Sequence, residues 1–193
     1  MRKLSPALAL LALCSFASCA SKPSSPLPAE PKVALRRVPE AELIERFGAV
    51  QARNPFLAPN SLLTGRPNDF VVLELALELP AATRVEVDAE LLDASGGSFA
   101  RLYDLQEMID YFNNFQLEMA DVRSAQSMLK RYYVPGLAYN ATAGKKRYFF
   151  VLVGKHPLPD GCRVHATAFA GGAVAAEFDE DLPPAPKPVK KKR

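Results

Sequence analysis

Phe70-Val71-Val72-Leu73-Glu74-Leu75-Ala76-Leu77-Glu78-Leu79 is the stretch that decides the fold. Val71, Leu73, Leu75, Leu77 and Leu79 alternate with Val72, Glu74, Ala76 and Glu78, the period-two pattern of a strand. Pro80 ends the run. Arg84-Val85-Glu86-Val87-Asp88-Ala89-Glu90-Leu91 alternates again with its charges outward. Asp93-Ala94-Ser95-Gly96-Gly97-Ser98 then supplies a turn before a short strand around Phe99. Further on, residues 146–153 contain Tyr148-Phe149-Phe150-Val151-Leu152-Val153, which suits a strand buried on both faces. Residues 157–161 make a turn, residues 163–169 alternate, and Gly171-Gly172 turns into a last strand over 173–179.

Between these strands the period changes. Asp104 is placed to cap a helix carrying Leu105, Met108, Ile109 and Phe112 on one face. A second helix over 120–132 repeats Val122, Ala125, Leu129 and Tyr132, and Pro135-Gly136 stops it. The pattern predicts a mainly β fold: an antiparallel β-sandwich over 68–182 with a helical insertion at 103–133. The alternative is an α+β two-layer arrangement with both helices on one sheet face. Upstream, residues 40–67 read as a short helix and an irregular segment. Pro39 stands at the helix's first turn, Glu40 and Glu42 favour its positive end, Leu43, Ile44 and Phe47 share a face, and Gly48 terminates it. Phe56 and Leu57 are expected to dock onto the body.

The start of the chain has the architecture of an export signal. Met1-Arg2-Lys3 is basic and Leu8 to Ala17 is apolar, about half the ~20 residues a membrane-spanning helix needs. Ser15-Phe16-Ala17-Ser18-Cys19 supplies small residues ending in cysteine. In these residues the chain resembles bacterial lipoprotein precursors, with Phe16 where their lipobox usually has Leu. The resemblance covers 1–19 and implies cleavage between Ser18 and Cys19, with acyl chains such as palmitate carried by Cys19. Cys14 follows bulky Leu13 and does not fit the acceptor position. An ordinary secretory signal, cleaved after Ser18-Cys19-Ala20, is the competing reading. Lipidation would hold the protein on the cell envelope, since each buried CH₂ is worth about 0.8 kcal/mol. Ala20, which is not acidic, favours the outer over the inner membrane where an Asp-type retention rule operates.

Removing residues 1–18 leaves 175 of the 193 residues, enough for one domain plus tails. Cys14 leaves with the signal and Cys19 carries lipid, so Cys162 is left without a disulfide partner and is read as a small buried residue. The net charge of +3 conceals a division. Arg2, Lys3, Lys187, Lys190, Lys191, Lys192 and Arg193 all lie near the ends, and taking these seven cations from +3 leaves −4 on 19–181. An acidic body argues against nucleic acid as a partner. Residues 19–39 are a Pro/Ser-rich tether, extended enough to hold the body away from headgroups. Residues 183–193 form a disordered Pro/Lys-rich tail whose Lys190, Lys191, Lys192 and Arg193 suit contact with an anionic surface. The whole plan, anchor and tether before a sandwich, is similar to bacterial lipoproteins with immunoglobulin-like domains. That resemblance covers Phe70 to Leu182 and lacks the Cys-Trp-Cys set, since the chain has no Trp.

No catalytic signature emerges. His156 and His165 are isolated, and Cys162-x-x-His165 has no second ligand pair at zinc spacing. There is no G-x-S-x-G elbow. Gly144-Lys145-Lys146 lacks the first Gly and the Ser or Thr of a phosphate loop. Asn140-Ala141-Thr142 matches a glycosylation sequon, idle behind a bacterial lipidation signal, and Asp179-Glu180-Asp181 lacks the spacing of a calcium loop. The insertion is dense in aromatic rings, and Tyr111, Phe115 and Tyr133 stand off its core stripes. They are expected to be exposed and to bind a partner. The expectation is a non-enzymatic envelope lipoprotein, without cofactor or metal, that binds an envelope protein or serves structurally. A carrier of an apolar ligand between sandwich and helices is the alternative.

Overall fold

The computed structural model describes residues 29–58, 68–114, 119–155 and 157–183. The export signal with Ser18 and Cys19, the start of the tether, Phe115, His156 and Lys190 to Arg193 lie outside the described residues. Eight strands and three helices follow in the order β1 (Lys32–Arg37), α1 (Glu40–Phe47), β2 (Asn68–Leu79), β3 (Thr83–Leu92), β4 (Ser98–Arg101), α2 (Leu105–Asn113), α3 (Met119–Tyr132), β5 (Ala138–Ala141), β6 (Gly144–Lys155), β7 (Arg163–Ala170) and β8 (Ala173–Asp181). The strands form two antiparallel sheets. One runs β1-β2-β6, the other β4-β3-β7-β8 with β5 also on β3. The mainly β, sandwich-like architecture expected from the alternating stretches is the one observed.

Strand alternation explains how the sheets face each other. Leu73 and Leu75 of β2, with Phe150 and Leu152 of β6, are buried on one face. Val85, Val87 and Leu91 of β3, with Val164, Ala166 and Ala168 of β7, are buried opposite them. A methyl placed on Gly154 of β6 would lie 3.4 Å from Leu91 of β3, so the two inner faces approach closely there. Each fully buried Leu, Val or Phe contributes about 1.5–3 kcal/mol. At one flank Arg37 of β1 donates to Glu180 of β8 at 2.8 Å, joining the sheets across their edges.

The outer face of β1-β2-β6 is covered as well. Val72, Glu74, Phe149 and Val151 point there and are buried. Phe149 meets Phe47 of α1 at 5.3 Å and Phe56 at 5.2 Å between ring centroids, and Phe70 meets Tyr111 of α2 at 5.6 Å. Tyr132 of α3 meets Phe47 at 5.2 Å. The helices therefore make a third layer, so the sandwich and the helix-on-sheet arrangement coexist on the two faces of one sheet. Asn54, fully buried, ties α1 down. Its amide donates to the carbonyls of Leu43 and Gly48, and its carbonyl accepts from Phe56 N–H. Gly48 sits at φ +92°, a conformation that suits glycine. Among the described residues no helix is long and apolar enough to cross a membrane.

Two strands depart from the sequence reading. Residues 32–37 belong to the sheet and not to the tether, pairing with β2 from Lys32↔Glu78 to Arg37↔Leu73. Flanking Pro31 and Pro39 masked them, and the pairing supplies what local pattern did not. β5, only Ala138–Ala141, pairs with Thr83–Glu86 on the same edge of β3 that β4 occupies further along. The helical excursion thus leaves the β3 edge midway and returns to it.

One charge interrupts the apolar outer face. Glu74, 3% exposed, accepts from Arg36 Nε at 2.6 Å and Arg46 Nη1 at 3.2 Å, with Arg147 Nη1 at 3.6 Å. Arg36 also grips Glu42 of α1 with two bonds at 2.8 and 2.6 Å. A buried carboxylate is tolerated only with such partners. Glu74→Ala is expected to cost about 3 kcal/mol, the low end for a broken buried pair because the arginines keep partial access to water; urea denaturation measures it. The Arg36 hydrogen bond holds the Glu42 carboxyl below its ordinary value of 4.5. The unfolded chain then binds more protons as acid is added, so this stabilisation is complete above about pH 4.5 and is lost as pH falls through the folded value. The urea midpoint should decline below pH 4.5, and Glu42→Gln should flatten that decline.

Candidate functional site: an aromatic cleft

The turn after β3 is set by one carboxylate. Asp93 accepts from Ser95 N–H at 2.8 Å, Ser95 Oγ at 2.6 Å and Gly97 N–H at 2.9 Å, while Gly96 takes φ +83°. The Ser95 and Gly97 donors hold the Asp93 carboxyl below the usual carboxylate range. The β3–β4 register shifts between Leu91 and Leu92, a bulge of the kind that re-aims side chains. Phe99 emerges on β4 with 38% of its surface exposed.

Beyond β4 the chain crosses to the other sheet. Leu102 bridges Leu152, and Tyr103 N–H reaches Val151 O at 3.4 Å. Asp104 and Glu107 then form a reciprocal capping box, with bonds of 2.8 and 2.9 Å, that starts α2 at a fixed angle. Arg101 donates to Glu107 at 2.5 and 3.1 Å and lies 5.9 Å from the Tyr103 ring centroid. Tyr111, one turn along α2, stands edge-on to Tyr103 at 6.3 Å.

These elements enclose a cleft of about 800 Å³ between β4, the end of β6, α2 and the β6–β7 loop. Phe99, Tyr103, Tyr111, Val153, Pro157 and Pro159 give it an aromatic and proline surface, with Asp93, Ser98 and Arg101 as polar groups. Gly154 closes the floor. A Cβ there would run into Leu158 Cδ2, so glycine lets the loop fold tightly onto β6. Leu158 N–H donates to Asp69 at 3.1 Å and pins the same loop.

The sequence-predicted residues divide. Tyr111 is half-buried and lines the cleft. Tyr133, expected to be exposed, is 1% exposed: an interior residue whose hydroxyl donates to Tyr103 O at 2.7 Å and accepts from Val151 N–H at 3.1 Å. It supports the cleft from beneath and contacts no solvent-borne partner. Burial raises its pKa, so the phenol stays protonated as the donor. The helical stripe missed it because it follows the last residue of α3 and joins the β6 edge, where Tyr133 bridges Phe149. Cys162 is a free, buried thiol, while His165 faces outward 3.5 Å from Asp179, so the two do not converge. Among the described residues no cluster of three or more His, Cys, Asp or Glu is arranged to hold a metal. Phe99, Tyr103, Arg101, Pro157 and Pro159 carry no local signal as a group, because they meet only when the two sheets pair.

What this surface offers is flat π-faces, restrained prolines and two fixed charges, suited to holding an extended or ring-bearing ligand. No protein-family model matches the chain, and no curated protein matches it either. Tyr133→Phe is expected to lose about 1–2 kcal/mol, since the buried Val151 N–H and the part-buried Tyr103 carbonyl lose their shared partner. Thermal melting measures the loss, and hydrogen exchange should show Val151 N–H losing protection.

Proposed function

We propose that this chain is a lipid-anchored lipoprotein of the bacterial cell envelope, non-catalytic, with an immunoglobulin-like sandwich that presents the aromatic cleft to a protein partner. The order β1-β2-β6 against β4-β3-β7-β8 supports the immunoglobulin-like reading, with the helices standing between β4 and β6. The observation that carries the functional reading is the polarity of the body. The chain enters at Lys32, which pairs with Glu78, itself paired with Lys145 at the start of β6. The cleft is built at the far end of β6, by Val153 and Gly154. Nine residues of β6, from Lys145 to Gly154, separate the two poles, roughly 30 Å at the ordinary strand rise. With lipid on Cys19, the entry pole faces the bilayer and the cleft faces away from it. Lys32, Lys145 and Lys146 then lie on the side toward anionic headgroups.

A carrier of an apolar ligand is the second reading. A volume of about 800 Å³ falls within the range of small-molecule sites. Native mass spectrometry of protein purified from envelopes separates the two, because a retained small molecule belongs to the carrier alone. The direct test is crosslinked co-purification from whole envelopes with wild type, Tyr111→Ala and Cys19→Ala. Tyr111→Ala should reduce a specific partner about tenfold, which corresponds to about 1.4 kcal/mol. Cys19→Ala should release the protein from the membrane fraction. Equal recovery of every captured protein with Tyr111→Ala would refute the cleft as the binding surface.

A further inference from the structure

We infer that a cationic groove over Ala34 and Ala76, at the uncovered end of the outer sheet face, docks against anionic lipid headgroups, so that the body rests on the bilayer by its entry pole. The inference rests on the lipid-anchor reading and adds a second, electrostatic contact to it.

The groove exists because the third layer stops short. On the outer face of β1-β2-β6 the paired strands set their side chains in rows. Arg36, Glu74 and Phe149 form the row that α1 covers, through Glu42 and Phe47. Toward the entry pole the next row is Ala34, Ala76 and Arg147, and the last is Lys32, Glu78 and Lys145. Ala76 is half-buried and the other five are exposed. The two alanines leave a depression of about 450 Å³ among longer side chains, lined by Lys146 as well.

Charge names the occupant. The body over 19–181 is net acidic, yet this groove gathers Lys32, Lys145, Lys146 and Arg147 against Glu78 as the carboxylate of its lining. Glu78 lies 3.6 Å from Lys145, and Arg147 lies 3.6 Å from the buried Glu74. Among the described residues Lys32 and Lys146 have no carboxylate within ion-pair distance. Cations on long stems around a floor of methyl groups suit phosphates at a membrane surface, each worth about fivefold in affinity.

Position agrees. Lys32 opens β1, and thirteen residues separate it from Cys19, a span of at most about 45 Å. A lipid on Cys19 keeps the groove within reach of the headgroups at all times. Weak contacts then suffice, because the second binding event is intramolecular. The aromatic cleft at the opposite pole stays open to a partner.

The test uses the full chain purified from bacterial membranes, with fluorescent dansylalanine in place of Ala34. It is reconstituted into vesicles that carry a nitroxide quencher on the headgroups, made of phosphatidylcholine with or without phosphatidylglycerol. Position 34 should be quenched only where phosphatidylglycerol is present, while dansylalanine at position 99, in the cleft, stays bright in both. The quenching should vanish as salt shortens the Debye length from about 10 to about 3 Å. K32Q/K145Q/K146Q should bind the anionic vesicles about a hundredfold more weakly, whereas the charge-matched R123Q/K130Q/R163Q, outside the groove, should match the wild type. Equal quenching at 34 and 99, equal quenching in both kinds of vesicle, or a K32Q/K145Q/K146Q chain that behaves as wild type overturns the inference. An emission shift at 34 that grows with protein concentration in the absence of lipid assigns the groove to a second copy and overturns it too. The anchor is read separately, by washing wild type and Cys19→Ala on pure phosphatidylcholine vesicles. If both wash off alike the anchor reading fails, and quenching at 34 still decides the groove. If wild type is retained and 34 is not quenched on anionic vesicles, the anchor stands and the groove contact falls.

Discussion

The paired strands β2 and β6 are buried on both faces, and the rest of the structure answers that constraint. Leu73, Leu75, Phe150 and Leu152 require a second sheet, while Val72, Phe149 and Val151 require a different cover on the opposite side. A sandwich satisfies the first requirement and leaves the second open. The helices, α1 and the returning excursion between β4 and β5, close it with their aromatic residues. The free edge of β6 is covered by the same excursion through Leu102, Tyr103, Tyr133 and Val134. An exposed edge would invite pairing with other chains.

Glu74 is the deliberate exception within that pair. Its carboxylate sits where apolar side chains would otherwise continue, and Arg36, Arg46 and Arg147 converge on it from β1, α1 and β6. A slip of β2 by one residue would carry the charge into the inter-sheet core, where no such partners stand. The cluster therefore specifies register as well as joining three elements. It also explains why α1 follows β1 so closely: Arg36 and Glu42 are six residues apart and bind each other on the same face.

At the opposite pole, rigidity serves exposure. The Asp93 turn, the capping box of α2, the buried hydroxyl of Tyr133 and the tight floor at Gly154 each fix one wall of the cleft. Aromatic rings held this way lose little entropy when they meet a ligand. Two carboxylates of these walls are held by neighbours. Glu107 is engaged by Arg101, and Asp93 by its own turn. The cleft lies at the end of the body opposite Lys32, where the chain enters the sheet.

The sequence by itself determined the strands and helices whose periodicity is local. β2, β3 and β6 are legible from alternation, α2 and α3 from their apolar stripes, and α2's start from Asp104 and Glu107. The aromatic density of the insertion is also visible in the sequence, and Tyr111 from it lines the cleft. Only the tertiary structure decided that residues 32–37 are a strand, that Tyr133 is interior, and that Phe99, Tyr103, Tyr111 and Pro159 share a cleft. The reason is physical. A periodic stretch carries its own face, whereas a short edge strand such as β1 or β5 acquires its structure from a partner's hydrogen bonds. A cleft belongs to none of its walls: it exists only where β4, β6 and α2, distant along the chain, are brought into register.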